Sequence, residues 1–484
     1  MHGEKLVLKI FYHGAGHASS GTGITAADEK TFFFCRSMVY LDCGFQNLGI
    51  PPDRELIQPG GTTMREYAYY TQVLKDQLIP ATGCTEPIAL AYGAAMAYRT
   101  LGAEPERITA AVSGSIIKNV KSVVVPKTGG MKGIETAIAA GVVAGNPDLE
   151  LEVLSGAPEN TGALAKKFLE KCPVTVCLAD SDRIFDIQIT MYAGKHSAFV
   201  RIVDTHTNVV SVRRDGTVLK EREIPRLAGQ AEKTAMLEIT KIVEYARTCR
   251  LEDVAETIEY QISCNQNLSQ EGLKGSWGAE IGRTLLSGEK NPDVKLRAMA
   301  AAAAGSDARM SGCELPAVIN SGSGNQGLTI TLPILEYAKE LNASHEQLIR
   351  ALVLANLVAV RIKQSIGYLS AYCGAVCAGC AAAAGIAYLH GADEVLINHT
   401  VVNGLAILSG TICDGAKPSC AAKIAMAVNA GLLGFEMARK GKEFSGGEGI
   451  VKKGIENTIE KVGVLSREGM GVTNEVILDI MVKD

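Results

Sequence analysis

Between Ser365 and Gly391 the chain reads SIGYLSAYCGAVCAGCAAAAGIAYLHG, without a single Asp, Glu, Lys or Arg. A stretch of that length either crosses a bilayer or sits at the centre of a folded core. Its composition is Ala, Gly, Cys and Ser with few Leu, Ile or Phe, so insertion into lipid would be weakly driven. The simpler expectation is a helix, small and apolar all round, at the middle of a helical domain, with no membrane partner. The same stretch supplies Cys373, Cys377 and Cys380, and after a helix-length segment the loop TICDGAKPSC adds Cys413 and Cys420.

Five of thirteen cysteines therefore fall in one region. Asp414, Gly415, Lys417 and Pro418 are poor helix-interior company, which makes the second group a loop. Small residues let backbone approach a bulky inorganic group, and a Gly/Pro loop can aim two thiolates at one point. Soft thiolates suit an iron–sulfur cluster or zinc. The zinc pattern of paired CxxC units is missing, because CAGC has no second partner, so a cluster is the better reading. The plain alternative is packing, since cysteine often fills space in Ala-rich helices. It explains Cys413 and Cys420, which flank a charged loop, less well than the other three.

With 484 residues there is room for two or three domains with substantial cores. A formal charge of −4, a pI near 6.1 and the lack of Lys/Arg blocks argue against a nucleic-acid partner. The cysteines are irregularly spaced and no secretory pattern precedes them, which favours a reducing cytoplasm with free or metal-bound thiols. Nothing in the composition argues against a homo-oligomer.

Residues 1–63 differ from the rest: rich in Gly, Thr, Phe and Tyr, aperiodic, and holding His2, His13 and His17. They read as an atypical extension ahead of Met64, which would make Cys35 and Cys43 poor candidates for chemistry. Residues 64–107 begin with an amphipathic helix and continue through GCTEPIAL, a tight turn opening a second helix. A thiol at a helix N-terminus has its pKa lowered by the dipole, so Cys84 is a candidate acid/base, nucleophile or ligand; its plain alternative is a packed neighbour of the cap. Residues 108–225 alternate β-branched runs with helices, which predicts an α/β domain. Strands are expected at ITAAVSG, KSVVVP, LELEVLSG, VTVCLAD, FDIQITMYAG, SAFVRIVDT and VVSVRR, with helices at MKGIETAIAAGVVAG and TGALAKKFLEKC. Cys172 and Cys177 read as core residues around a strand. The Gly-rich turns near Lys118 match no phosphate-binding motif. Residues 226–484 read as helical, with helices expected at 231–247, 251–263, 267–288, 293–304, 328–342 and 345–365. Within them the NSGSGNQG segment offers backbone N–H groups, Ser321, Ser323, Asn325 and Gln326 just ahead of a helix, a ready site for a carboxylate or other anion. The overall expectation is an α+β chain: a mainly helical catalytic domain with an inserted α/β domain.

GCTEPIAL at 83–90, SGxxxKN at 113–119, PKTGGMKGIE at 126–135, the NSGSGNQG segment and CDGAKPSC at 413–420 occur in this order. Together they resemble the L-cysteine desulfidase family, related to the iron–sulfur-dependent L-serine dehydratase α chain, over roughly Met64 to Asp484. The resemblance implies a [4Fe–4S] cluster held by three cysteines with one iron left open, the ligands falling on Cys373, Cys413 and Cys420. Cys380 to Cys420 repeats the separation of Cys373 to Cys413, so Cys377 or Cys380 stays an alternative for the helical ligand. The two loop cysteines stand closer together than in serine dehydratases, which places the chain on the desulfidase side. Cys84 matches the family's proposed functional thiol. The implied reaction turns L-cysteine and water into pyruvate, ammonia and sulfide. Glu86, Lys118, Asn119 and the NSGSGNQG segment would hold the amino acid's charged ends, and Cys84 would take the α-proton. L-serine dehydration at the same site, and a non-catalytic iron–sulfur redox protein, are the rival implications.

Overall fold

The structure, a computed structural model, describes residues 64–224 and 237–483. The N-terminal extension and its two cysteines lie outside the described residues, as do positions 231–236 of the helix expected at 231–247.

Two hydrophobic cores divide the described chain. The first belongs to a helical bundle and is centred on the charge-free stretch. That stretch is not one helix. α11 (His345–Ile366) ends at Gly367, where φ is 89°, and α12 (Gly374–Leu389) begins after a turn that carries Cys373 as its N-cap. α11 is well started: Ser344 Oγ accepts from Gln347 N at 3.2 Å while Gln347 Oε1 accepts from Ser344 N at 2.7 Å. A reciprocal cap of this kind contributes about 1 kcal/mol.

α12 is packed by α10 (Gly324–Glu340), α11, α13 (Glu394–Leu408) and α14 (Cys420–Arg439). Its small residues are what allow this. A Cβ at Gly379 would run into the Ala427 backbone of α14, and one at Gly431 into the Gly379 backbone, so the two helices touch main chain to main chain. Among the described helices α14 alone is long and apolar enough to cross a membrane, and its buried face is part of this bundle. Around these lie α6 (Ile239–Thr248), α7 (Ala255–Lys274), α8 (Ile281–Leu286), α9 (Val294–Met310) and α15 (Ile455–Val464). α7 runs unbroken where two helices were expected. Its mid-helix Asn265 is buried but satisfied, donating to the Val318 carbonyl and Thr331 Oγ1 and accepting from Val318 N, so no break is needed.

The second core lies between a six-stranded sheet and four helices. In chain order these are α2 (Thr85–Leu101), β2 (Arg107–Val112), α3 (Gly114–Val120), α4 (Ile134–Ala144), α5 (Thr161–Lys171), β3 (Val174–Leu178), β4 (Asp186–Ala193), β5 (His196–Val203), β6 (Val209–Arg214) and β7 (Thr217–Glu221). The sheet order is β3-β2-β4-β5-β6-β7, parallel only between β2 and β3. The chain is thus α+β and mainly helical, as expected. The buried residues of α2 belong to this second core, so a boundary at 107 does not separate the two cores.

Two expected strands are something else. LELEVLSG is entered by a 3₁₀ turn over Pro147–Glu152, capped by Asn146 Oδ1 accepting from Asp148 N at 3.1 Å. KSVVVP follows directly on α3 and makes only the single bridge Val124–Lys132. The β7 strand was not expected at all. Cys172 is buried as anticipated, whereas Cys177 is exposed because β3 is a sheet edge.

One small pairing brings the two cores together. β1 (Pro80–Thr82) runs antiparallel to β8 (Pro316–Val318), with Ala81 opposite Ala317. It sets the turn before α2 beside the segment before α10. α1 (Met64–Gln77) precedes it, and α16 (Gly471–Lys483) closes the described chain against α3.

Candidate active site

A cavity of about 350 Å³ opens where β1 and β8 bring the cores together. Of the ten residues the sequence singled out, nine line it: Cys84, Glu86 and Asn119 from the sheet side, Ser323, Asn325 and Gln326 at the start of α10, and Cys373, Cys413 and Cys420. Lys118 does not.

The three thiols are brought to the cavity by backbone pairing. Cys373 N donates to the Thr411 carbonyl at 3.0 Å, Cys413 N donates to the Ala371 carbonyl at 2.6 Å, and Tyr372 bridges Ile412 between them. A short antiparallel clip therefore fixes Cys373 beside Cys413. Cys420 is the first residue of α14, its thiol 3.8 Å from the Gly415 carbonyl. Gly415 (φ 93°) makes the loop between them possible, because a Cβ there would collide with the carbonyl of Lys118. Asp414 braces it: Lys417 and Lys423, each 2.5 Å away, hold its carboxyl down at about 2 despite burial. Burial, then the neighbouring Cys413, pushes the Cys373 thiol up to about 12, and burial also raises Cys420.

Cys377 and Cys380 lie further along α12, fully buried and away from the cavity wall. Cys380 packs against Gly404 of α13. Of the three cysteines of the helical stretch, only Cys373 stands on the wall with Cys413 and Cys420.

The donor set can be tested against the implied cluster. Among the described residues no three His, Cys, Asp or Glu side chains converge tightly enough for one metal ion. Three thiols spaced around a cavity, flanked by Gly374 and Gly415, instead match a group in which each thiolate takes a different iron. The residues fit a cluster better than a single ion.

Around the rest of the wall, buried polar atoms lack partners. Arg309, only 2% exposed, spends one nitrogen on Asn325 (Nη1 to Oδ1, 3.2 Å) and leaves Nε and Nη2 without an acceptor. Asn119 donates through Nδ2 to Glu86 Oε1 at 3.0 Å, and its Oδ1 is bare. Gln326 Oε1 and His206 Nε2 are bare as well. Buried polar groups without partners are rare in folded proteins, and these four, with the bare Tyr372 hydroxyl on the same wall, describe a ligand's outline. Arg309 has the fork that suits a carboxylate; Asn119 Oδ1, Gln326 Oε1 and the Glu86 carboxylate suit an ammonium.

The segment Asn320–Ser323 is held rigidly for this. Gln261, Asn356 and Asn320 form a buried amide chain, and Ser321, at φ 49°, donates to Asn320 Oδ1 at 2.8 Å. Thr85 Oγ1 reaches the Gly322 carbonyl at 2.9 Å, which ties the segment to the start of α2. Leu369, another cavity residue, also has a left-handed backbone (φ 50°). Non-glycine residues in that region cluster at functional sites.

Two sequence expectations change here, and two residues are added. Cys84 is the N-cap of α2 and 3% exposed, and burial outweighs both the helix dipole and the Arg309 charge, pushing its thiol up to about 12. It is not a ready base in this state. Lys118 is turned away from the cavity, its ammonium held by Asn474 Oδ1 and two backbone carbonyls. His206 was missed. It lies between β5 and β6, edge-on to Phe185 with ring centroids 4.9 Å apart, and burial lowers its pKa, so it is a neutral imidazole with a free nitrogen on the cavity wall. Arg309 was missed too.

A family model described as serine dehydratase alpha chain matches residues 150–479. That span includes the three cavity cysteines, Arg309, His206 and the start of α10, and leaves out Cys84, Glu86 and Asn119. A UPF0597 protein of Desulfitobacterium hafniense is 51% identical over 418 residues, covering 86% of this chain and 97% of the relative. UPF0597 proteins of Lachnoclostridium phytofermentans and Treponema denticola are 45% and 43% identical, each over 86% of this chain and 99% and 98% of their own length.

Proposed function

The chain belongs to the serine dehydratase alpha-chain family, and on that premise we propose that it is an L-cysteine desulfidase, eliminating sulfide from L-cysteine to leave pyruvate and ammonia. The observation that carries the reading is the cavity that three thiols share with an unpartnered guanidinium and unpartnered neutral acceptors. An α-amino acid is the simplest ligand that answers Arg309 with a carboxylate and Asn119, Gln326 and Glu86 with an ammonium.

Cys373, Cys413 and Cys420 would hold a [4Fe–4S] cluster, which when bound supplies an open iron, a soft Lewis acid for the leaving sulfur. The Arg309 fork fixes the carboxylate and withdraws charge from the α-carbon. His206 Nε2, neutral and lacking a partner, accepts the α-proton. The electron pair of that C–H bond becomes the Cα–Cβ double bond as the Cβ–S bond breaks and sulfur leaves with its own pair. The resulting aminoacrylate tautomerises and hydrolyses to pyruvate and ammonia without further help from the chain. Thiolate leaves unprotonated where hydroxide does not, and the short Cys413–Cys420 loop also favours cysteine over serine.

The test is sulfide and pyruvate release from L-cysteine and from L-serine, using protein reconstituted with iron and sulfide without air. Equal amounts of sulfide and pyruvate from cysteine, lost on exposure to air, support the reading. Pyruvate from serine alone reassigns the substrate to the hydroxy amino acid, and turnover of neither sinks the catalytic proposal.

A further inference from the structure

Lys118 is 1% exposed and none of its partners is a carboxylate. Its ammonium donates to Asn474 Oδ1 at 2.6 Å, to the Cys413 carbonyl at 3.3 Å and to the Leu369 carbonyl at 3.4 Å. Burying an ammonium among neutral oxygens is costly, and hydrophobic residues of similar volume would fill the space more cheaply. What the lysine achieves is a junction. It ties α3, the turn leading to Cys373, the backbone of Cys413 and the C-terminal helix α16 at one point. The main chain does the same from the other side, since the Lys118 carbonyl packs against Gly415 of the cysteine loop.

α16 packs Ile477 and Met481 on the first core and makes few further attachments. Leu478 packs where Gly114 leaves room, Lys121 reaches the Met481 carbonyl, and Asn474 meets Lys118. Its opposite face, with Val472, Val476 and Ile480, is exposed. The shortest hydrogen bond of the buried ammonium thus comes from a helix at the edge of the bundle, with one face exposed.

We propose that Lys118 and Asn474 form a clamp that fixes the Cys413 backbone for cluster binding, so that the C-terminal helix sets how firmly the iron–sulfur group is held. This rests on the reading of Cys413 as a cluster ligand. Lys118 and Asn474 are positioning residues: they act on the ligand's main chain and touch neither substrate nor iron.

The experiment measures iron release from anaerobically reconstituted full-length protein to a ferrous-iron chelator, followed by the visible absorption of the cluster. Asn474→Leu and Lys118→Met should each release iron about tenfold faster, in the range typical when an outer-shell partner of a metal ligand is lost. The double variant should be no faster than the worse single, because both changes undo one clamp. Asn474→Asp keeps an acceptor for Lys118 and should restore the wild-type rate. Metal-free Asn474→Leu loses the nearest acceptor of a buried ammonium and should melt below metal-free wild type, so release is compared well below both midpoints, where a merely structural role would leave the rate unchanged. Release rates in Asn474→Leu equal to wild type overturn the clamp. Should Lys118→Met fail to fold, the Leu/Asp pair at 474 decides alone. Cys413→Ser separates the two levels: retention of its full iron content removes the underlying ligand reading, whereas iron loss there with an unchanged Asn474→Leu removes only the clamp.

Discussion

Cys373 and Cys380 stand on one helix, within about two turns of each other, in surroundings built from the same Ala and Gly. Cys373 caps the helix, is 8% exposed, and is clipped by backbone bonds beside a second thiol on a cavity wall. Cys380, 1% exposed, fills the space over Gly404, with Cys377 equally buried between it and the cap. Residue type is therefore no guide to role along α12. A helix interior commits each side chain to a neighbouring helix, while a helix end can lend its side chain to a loop partner. The same contrast holds on α9, where Arg309 faces the cavity with two bare nitrogens and Asp307, half a turn earlier, turns to α8 and accepts from Gly282 N at 3.0 Å.

The contrast is broken most decisively at the thiols themselves. Cys373→Ser, Cys413→Ser or Cys420→Ser should each lower bound iron to background and abolish sulfide release, measured as iron per chain and by colorimetric sulfide. Cys377→Ser and Cys380→Ser should keep their iron. Equal iron loss in Cys380→Ser would remove the distinction between cap and interior.

Next in size are the groups facing the cavity thiols. His206→Gln should lower kcat by about 10²–10⁴, the usual contribution of a general base, with little change in KM. Because burial lowers the pKa of His206, the acid limb of kcat/KM should fall below the ordinary histidine range, with activity lost only as the imidazole protonates there. Arg309→Lys, which keeps charge but loses the fork, should raise KM for L-cysteine by about tenfold or more.

Smaller effects belong to the packed side of the contrast. Cys380→Ser buries a hydroxyl where a thiol packs and should reduce stability by about 1–3 kcal/mol in chemical denaturation. The slightest change is expected at Asp307, whose pKa burial raises to about 6. Its folded-state pKa lies above that of the unfolded chain, so its contribution to stability is complete in acid and fades as pH rises through about 6. Asp307→Asn keeps an acceptor for Gly282 N and should therefore be more stable than wild type at pH 8, by about 1–2 kcal/mol, and indistinguishable from it in acid. A stability gain independent of pH would show that the carboxylate is not the cause.

Much of this contrast is readable in the sequence. The charge-free run marks its own central place, the Gly/Pro loop marks Cys413 and Cys420 as different from their neighbours, and NSGSGNQG announces a polar wall. The choice among Cys373, Cys377 and Cys380 is not readable, because it depends on where the helix starts, and that is set by pairing with Thr411 and Ile412 some forty positions on. Arg309 hides at the end of AAAAAGSDARM, where a cation is ordinary; the available signal is that a helix of alanines on all sides has no surface on which to leave it. His206, in VDTHTN, reads as a surface turn, and only the meeting of the two cores buries it. Lys118 misled for the same reason: the helix carrying it is legible, but the carbonyls that hold it come from Leu369 and Cys413.

The central claim is that one cavity holds a cluster on three thiols and an amino acid on the groups opposite. A crystal structure of the anaerobically reconstituted protein with L-alanine, which has the charged ends of the substrate but no leaving group, tests it most directly. The account predicts iron–sulfur density bonded to Cys373, Cys413 and Cys420, with the alanine carboxylate on Arg309 and its α-hydrogen toward His206. Iron density at Cys377 or Cys380, or an amino acid bound away from Arg309, would contradict it.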